Sequence, residues 1–256
     1  MNEILKKVGE KHKWLEENKE QYEISHVVMT SLVGSQNYDL STPSSDIDAY
    51  SFIFPSYIDF ICGNNPKNFD HTFEDGSKIV VKDIRLAFNL LRKPTPNSIE
   101  CFLSHYKVYN PLFESILSYY LEDNNLLSLI THCNYTNMVN AIAGCAQGLH
   151  GRNMSLGKIY SHALRLQDML MHYLDPCCSP LNYISLEPDN LHLALMAKLN
   201  LIDVQEQSYL NLVDTLKTFA KNYKITNQNK IVEEAGKEII NEFQIKLTEK
   251  FLEISK

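Results

Sequence analysis

Long apolar runs are absent from this chain of 256 residues: none approaches the roughly 18 residues that a membrane-spanning helix requires. The segment MNEILKKVGEKHKW is charged and amphipathic rather than an apolar leader, so the expectation is a cytoplasmic globular protein with no membrane partner. C-x-x-C pairs are also missing. The six cysteines stand at 62, 101, 133, 145, 177 and 178, and the nine histidines are scattered without zinc-type spacing, which leaves buried free thiols as the expected state. Positive charge is in short supply: a net charge of -7 argues against nucleic-acid binding by broad phosphate neutralisation, although local basic patches remain allowed. No internal repeat and no low-complexity tract is present. What the chain does have is 44% hydrophobic content, enough to build one large domain or two modest ones.

The hydrophobic period changes along the sequence. Ile4, Leu5, Val8, Trp14 and Leu15 recur at near-helical spacing among charges, predicting an amphipathic helix over 3–20. ISHVVMTSLVG (24–34) then reads as a buried strand ending at glycine, DIDAYSFIF (46–54) as a second strand after a loop through residues 41–45, and KIVVKD (78–83) as a third. Residues 61–77 read as loop and turn. A helix follows from Ile84 and stops at Lys93-Pro94. Beyond residue 110 the pattern is helical throughout, over 111–131, 134–149, 156–174, 187–198, 203–223 and 229–254. The expected class is therefore α+β, with a mixed-sheet unit over 1–110 and an all-helical unit over 111–256.

One stretch, VGSQNYDLSTPSSDID (33–48), carries chemistry. Glycine lets backbone approach a ligand closely, and the hydroxyl of Ser35 beside Gly34 can donate to a phosphate oxygen. Side chains on a strand alternate, so Asp46 and Asp48 are expected on one face while Ile47 points into the core. Two carboxylates held that close repel unless a cation sits between them. Mg²⁺ suits such a pair, since it prefers oxygen ligands and is commonly held by one or two carboxylates plus substrate phosphates. An Asp-x-Asp pair alone is also a common solubility device on edge strands. Joined to a Gly-Ser corner on an adjacent strand end, it fits phosphoryl or nucleotidyl transfer better.

These residues resemble the nucleotidyltransferase superfamily typified by DNA polymerase beta, whose signature is Gly-Ser, a spacer and then two alternating acids. More narrowly, GSQNYDLSTPSSDID is similar to the G-S-x-x-Y-G-L-x-T-P-x-S-D-x-D pattern of a bacterial and phage branch of nucleotidyltransferases, some associated with RNA repair. DIRLAFNLLRKPTPNSIECFLS (83–104) and GKIYSHALRLQDML (157–170) resemble further segments of that branch, so the likeness spans about 24–174. The resemblance implies transfer of a nucleoside monophosphate from an NTP to a hydroxyl acceptor, such as an RNA end, a protein side chain or a small molecule. It implies that Gly34 and Ser35 contact the triphosphate and that Asp46 and Asp48 carry catalytic Mg²⁺ or Mn²⁺. The chain departs from the pattern at Asp39, where the branch usually has glycine, and at Lys78, where it often shows an acid. Asp83 is the candidate for the superfamily's third carboxylate, serving as base and metal ligand; judged alone, it would cap the following helix.

Lys158, His162 and Arg165 fall at i, i+4 and i+7 on the helix 156–174 and form a cationic stripe. The stripe could hold a triphosphate or an RNA phosphate, or simply be a solvated face. Tyr38, inside the Gly-Ser loop, is expected to brace that loop or touch the nucleotide. Glu100 sits among Ile99, Cys101, Phe102 and Leu103, where a buried carboxylate needs a partner such as arginine. Phe52, Phe54, Tyr57 and Phe60 read as strand-spaced core, Arg85, Arg92 and Lys93 as surface charges, and the Lys/Glu-rich end from Lys230 as a docked amphipathic helix. Two alternatives stay open beside transfer: a catalytically silent nucleotide-binding or antitoxin-like partner, and a phosphohydrolase using the same metal pair on water.

Overall fold

The β-branched and apolar residues of β1 (Ile24–Val33) form a central strand, buried without interruption from Val27 to Leu32. The structure is a computed structural model that describes residues 3–43 and 45–255; Met1, Asn2, Ser44 in the expected loop and Lys256 at the chain's end lie outside it. With β2 (Asp48–Pro55), β3 (Asn68–Thr72), β4 (Lys78–Asp83) and β5 (Lys107–Tyr109), β1 builds one five-stranded sheet of order β3-β4-β2-β1-β5. The β2–β4 pair is parallel and the other pairs are antiparallel. Helices flank the sheet and make up the C-terminal region, so the fold is α+β.

Strand alternation divides the sheet into two faces. Ala49, Ile53, Ile79 and Val81 pack with Leu15 and Val27 beneath α1 (Glu3–Glu17). Phe52 and Phe54 point the other way, into a core shared with Phe88 of α3 (Ile84–Arg92) and Phe102 of α4 (Pro96–Leu103). That second core runs without a break into the helical region: α5 (Glu114–Leu121), α6 (Asn124–Thr131), α7 (Tyr135–Gly148), α8 (Leu156–Leu174), α9 (Pro188–Lys198), α10 (Glu206–Asn222) and α11 (Asn227–Ile254). Phe251, near the end of α11, stacks on Phe54 with ring centroids 4.1 Å apart. The apolar core is thus continuous across residue 110.

Several elements differ from the sequence expectation, each for a local reason. β3 falls inside the expected loop 61–77. It is an edge strand with only Phe69 and His71 turned inward, stacked on Tyr22 and Trp14, too few apolar residues for the alternation to register. The predicted helix 111–131 is two helices, because the Asp123 side chain accepts from the amides of Asn125 and Leu126 and starts α6. Tyr57 and Phe60 belong to a short helix, α2 (Tyr57–Ile61), rather than to strand-spaced core. Among the thiols, Cys101 and Cys133 are buried as expected, whereas Cys62 and Cys177 are exposed.

One close contact fixes how α8 and α9 sit together. A Cβ at Gly157 would lie 2.0 Å from the carbonyl oxygen of Ala197, so the two helices approach to a distance that only glycine permits. This brings the C-terminal end of α9 beside the first turns of α8.

Candidate active site

The connection from β1 to β2 leaves and re-enters the sheet at paired residues, because Val33 is the partner of Asp48 in the antiparallel register. The Gly34-Ser35 corner and the two aspartates are therefore neighbours by construction of the hairpin, although a dozen residues separate them in sequence. Gly34 has φ 96° and ψ −160°, a conformation open to glycine and strained for L side chains. A single 3-10 turn follows over Ser35–Tyr38 and closes on Asp39 in the left-handed region at φ 54°. A left-handed residue explains why a glycine would suit position 39; aspartate is among the side chains that tolerate it. Asp39 is exposed and does not line the cleft, so it adds no third carboxylate there.

β2 begins at Asp48, so Asp46 sits in the extended segment just before the strand and is exposed, and Ile47 is half-buried rather than core. The two aspartates still open on one cleft of about 650 Å³, together with Gly34 and Ser35. Asp48 Oδ1 accepts the backbone amide of Lys78 at 2.8 Å. The turn between β3 and β4 closes the acidic side, with the Cβ position of Gly76 3.9 Å from Asp46 Oδ1.

The opposite wall is cationic. Lys158 and His162 of α8 and Lys198 of α9 line the same cleft. Lys198 Nζ donates to the carbonyl oxygen of Leu40, tying α9 to the Gly-Ser loop. Burial, the neighbouring Lys158 and Arg165 all push the Lys198 ammonium pKa down. His162 is pushed down to about 3 by burial and then by Arg165, Lys158, Lys198 and Arg152, so it is neutral at physiological pH. The unfolded chain takes up this proton near the ordinary histidine value and the folded chain refuses it until about 3, so the folded state loses stability progressively as pH falls from about 6.5 towards 3. His162→Gln is expected to lower the midpoint of acid unfolding, read by circular dichroism; superimposable acid curves would contradict this.

Behind the loop lies the buried carboxylate that the sequence marks as needing a partner. Glu100 of α4 is 4% exposed. Its Oε1 accepts from the amide of Gly34 at 2.5 Å and from Asn37 Nδ2 at 3.1 Å, while Ser104 Oγ donates to Asn37 Oδ1. Burial pushes the Glu100 carboxyl pKa up, opposed chiefly by Arg165. The Gly34 amide is therefore committed to Glu100, and the Ser35 hydroxyl is the side-chain donor by which this loop lines the cleft.

Three of the expected site residues are elsewhere: Arg165 is 9% exposed and does not line the cleft with Lys158 and His162, and Tyr38 and Asp83 lie outside it too. Tyr38 is 1% exposed and lies in the core with the Arg165 guanidinium 4.2 Å from its ring centre, so it braces the loop and does not reach the cleft. Asp83 is fully buried, accepts from the amide of Arg85 as the cap of α3, and pairs with the Arg85 guanidinium at 2.6 Å. It is the parallel-strand partner of Ile53, five residues along β2 from Asp48, or about 16 Å, and on the opposite face. Asp83 is therefore neither base nor metal ligand for this cleft. On β4 the residues that share the sheet face of Asp48 are Lys78, whose amide Asp48 accepts, and Val80, the partner of Tyr50. Among the described residues no group of three His, Cys, Asp or Glu comes together.

Asp46 and Asp48 are the carboxylates among the residues that line the cleft. The residues that the sequence did not signal are Lys198, at the end of an otherwise unremarked helix, and Arg152, in the loop before α8. No motif marks either. No family model matches the chain, and no curated protein matches it. No helix among the described residues is long and apolar enough to cross a membrane.

Proposed function

We propose that this protein is a Mg²⁺-dependent nucleotidyltransferase that moves a nucleoside monophosphate from an NTP to a hydroxyl acceptor. The observation that carries this reading is the Val33–Asp48 register, which sets the Gly-Ser corner and two carboxylates in one cleft facing Lys158 and Lys198. The sequence resemblance of residues 34–48 to polymerase-beta-like nucleotidyltransferases supports it independently. A divalent ion held by Asp46 and Asp48 would neutralise charge developing on the transferred phosphoryl group. The chain's own residues bind and orient. Ser35 donates its hydroxyl to a phosphate oxygen, Lys158 and Lys198 neutralise the polyphosphate from across the cleft, and neutral His162 donates or accepts a hydrogen bond without adding charge. The helical wall restricts water and holds donor and acceptor in line.

One observation favours a second reading, a catalytically silent nucleotide-binding protein: on the neighbouring strand β4 the residues sharing the face of Asp48 are Lys78 and Val80, with no third acid. Incubation with Mg²⁺ and each NTP labelled at the α-phosphate, with and without total RNA, separates the two. Transfer reads as label on RNA, protein or a small acceptor, with pyrophosphate release that Asp46→Ala and Asp48→Ala abolish. NTP binding with no pyrophosphate release would select the silent reading, and transfer surviving both substitutions would remove the mechanism.

A further inference from the structure

The main cleft has an inner neighbour. A chamber of about 270 Å³ lies between the sheet and the helices α7 and α8, and it shares Gly34 and His162 with the outer cleft. Its floor is Tyr50 and Val80, which are register partners on β2 and β4. Tyr50 follows Asp48 by two residues, so the floor continues the sheet face that carries Asp48, about 7 Å further along the strand. Arg152, Arg165, Asn97, His162 and the buried Glu100 carboxylate supply the polar part of the lining, so two guanidiniums stand against one carboxylate. Arg165 is 9% exposed, and its Nε is buried without a hydrogen-bond partner among the described residues. A guanidinium withdrawn from water and left with an unmade hydrogen bond is costly. An anion that accepts that bond offsets the cost, and Arg152 and Arg165 against the single Glu100 carboxylate leave the lining with net positive charge to attract it.

We infer that the inner chamber is the acceptor site, built for a small hydroxyl-bearing molecule that carries one anionic group, held by Arg152 and Arg165 with its hydroxyl directed along the sheet face towards Asp48. This rests on the nucleotidyltransferase reading and narrows it. The acceptor oxygen forms a bond to the α-phosphorus, the bond from that phosphorus to the bridging oxygen breaks, and pyrophosphate leaves with the electron pair. The acceptor's proton passes to water in the outer cleft. A chamber of this volume holds a sugar-sized or amino-acid-sized group and excludes a folded RNA end.

Glycerol 3-phosphate and glycerol make a matched pair of probes, sharing hydroxyls and differing by the phosphate. Each is titrated calorimetrically into the protein saturated with Mg²⁺ and α,β-methylene-ATP, and into the nucleotide-free protein. The expected result is single-site binding of glycerol 3-phosphate alongside the nucleotide analogue, at least tenfold tighter than glycerol. Arg152→Gln, on an exposed loop, and Val80→Phe, which fills the chamber floor, should each weaken the probe tenfold or more while weakening the nucleotide analogue less than threefold. Affinity for the probe unchanged by both substitutions, absence of probe binding, or displacement of the nucleotide analogue by the probe would each overturn the assignment. A protein that fails to bind the analogue removes the nucleotidyltransferase reading instead. The probe titration on nucleotide-free protein still reports whether the chamber takes an anion.

Discussion

Asp48→Asn is expected to lower kcat/KM for nucleotidyl transfer by three orders of magnitude on the proposed reading. The substitution is close to isosteric, and the amide oxygen can still accept from the Lys78 backbone, so the end of β2 should keep its place. What disappears is the negative charge on an oxygen that would hold the metal. Bound metal ions contribute several kcal/mol of charge stabilisation in such transition states. A loss of about 4 kcal/mol corresponds to roughly a thousandfold in kcat/KM. Because the side chain is at the surface of the cleft, stability should change by no more than about 0.5 kcal/mol. Steady-state kinetics beside a urea titration checks both halves. A variant within tenfold of the wild-type rate would show that this carboxylate does not carry the metal chemistry.

Glu100→Ala is expected to have the largest effect on stability and to disable the loop at the same time. The Gly34 amide and the Asn37 side chain both lose their acceptor, and Arg165 loses a carboxylate that offsets its charge. Unmaking buried hydrogen bonds and leaving a buried cation uncompensated costs roughly 2–4 kcal/mol together. Glu100→Gln retains an oxygen at Oε1 for both donors and should cost about 1 kcal/mol or less. Urea midpoints for the pair measure the difference, and nucleotide binding by Glu100→Ala should weaken in parallel because the Gly-Ser corner is no longer held. Equal destabilisation by alanine and glutamine would mean that Glu100 contributes volume rather than the acceptor proposed for it.

The legible part of the site was the part written in one continuous segment. Gly34, Ser35, Asp46 and Asp48 are neighbours because a single hairpin register joins their strands, and both strands announce themselves by β-branched and apolar content. Lys158 and His162 were legible as a stripe because helical periodicity fixes which residues share a face, and they line the cleft where the stripe meets the loop. Lys198 was not, since its place depends on the α8–α9 contact at Gly157, a tertiary fact with no local signature. Asp83 shows the limit from the other side. An acid at the end of a strand beside the right one looked suitable, yet both the parallel register and the strand parity turn it away, and Arg85 two residues on takes it as a partner. Glu100 was legible as a buried carboxylate in need of a partner, but the partners are mainly the loop's own amide and Asn37 rather than an arginine in direct contact.

The measurement closest to the central claim is the binding of α,β-methylene-ATP, by calorimetry, with and without Mg²⁺, to the wild type and to Asp46→Asn, Asp48→Asn and Lys158→Met. One cleft gripping both a cation and a polyphosphate predicts affinity that rises at least tenfold with Mg²⁺, loses that gain in either asparagine variant, and weakens in Lys158→Met whether or not the metal is present. Affinity indifferent to Mg²⁺, or unchanged in all three variants, would contradict it.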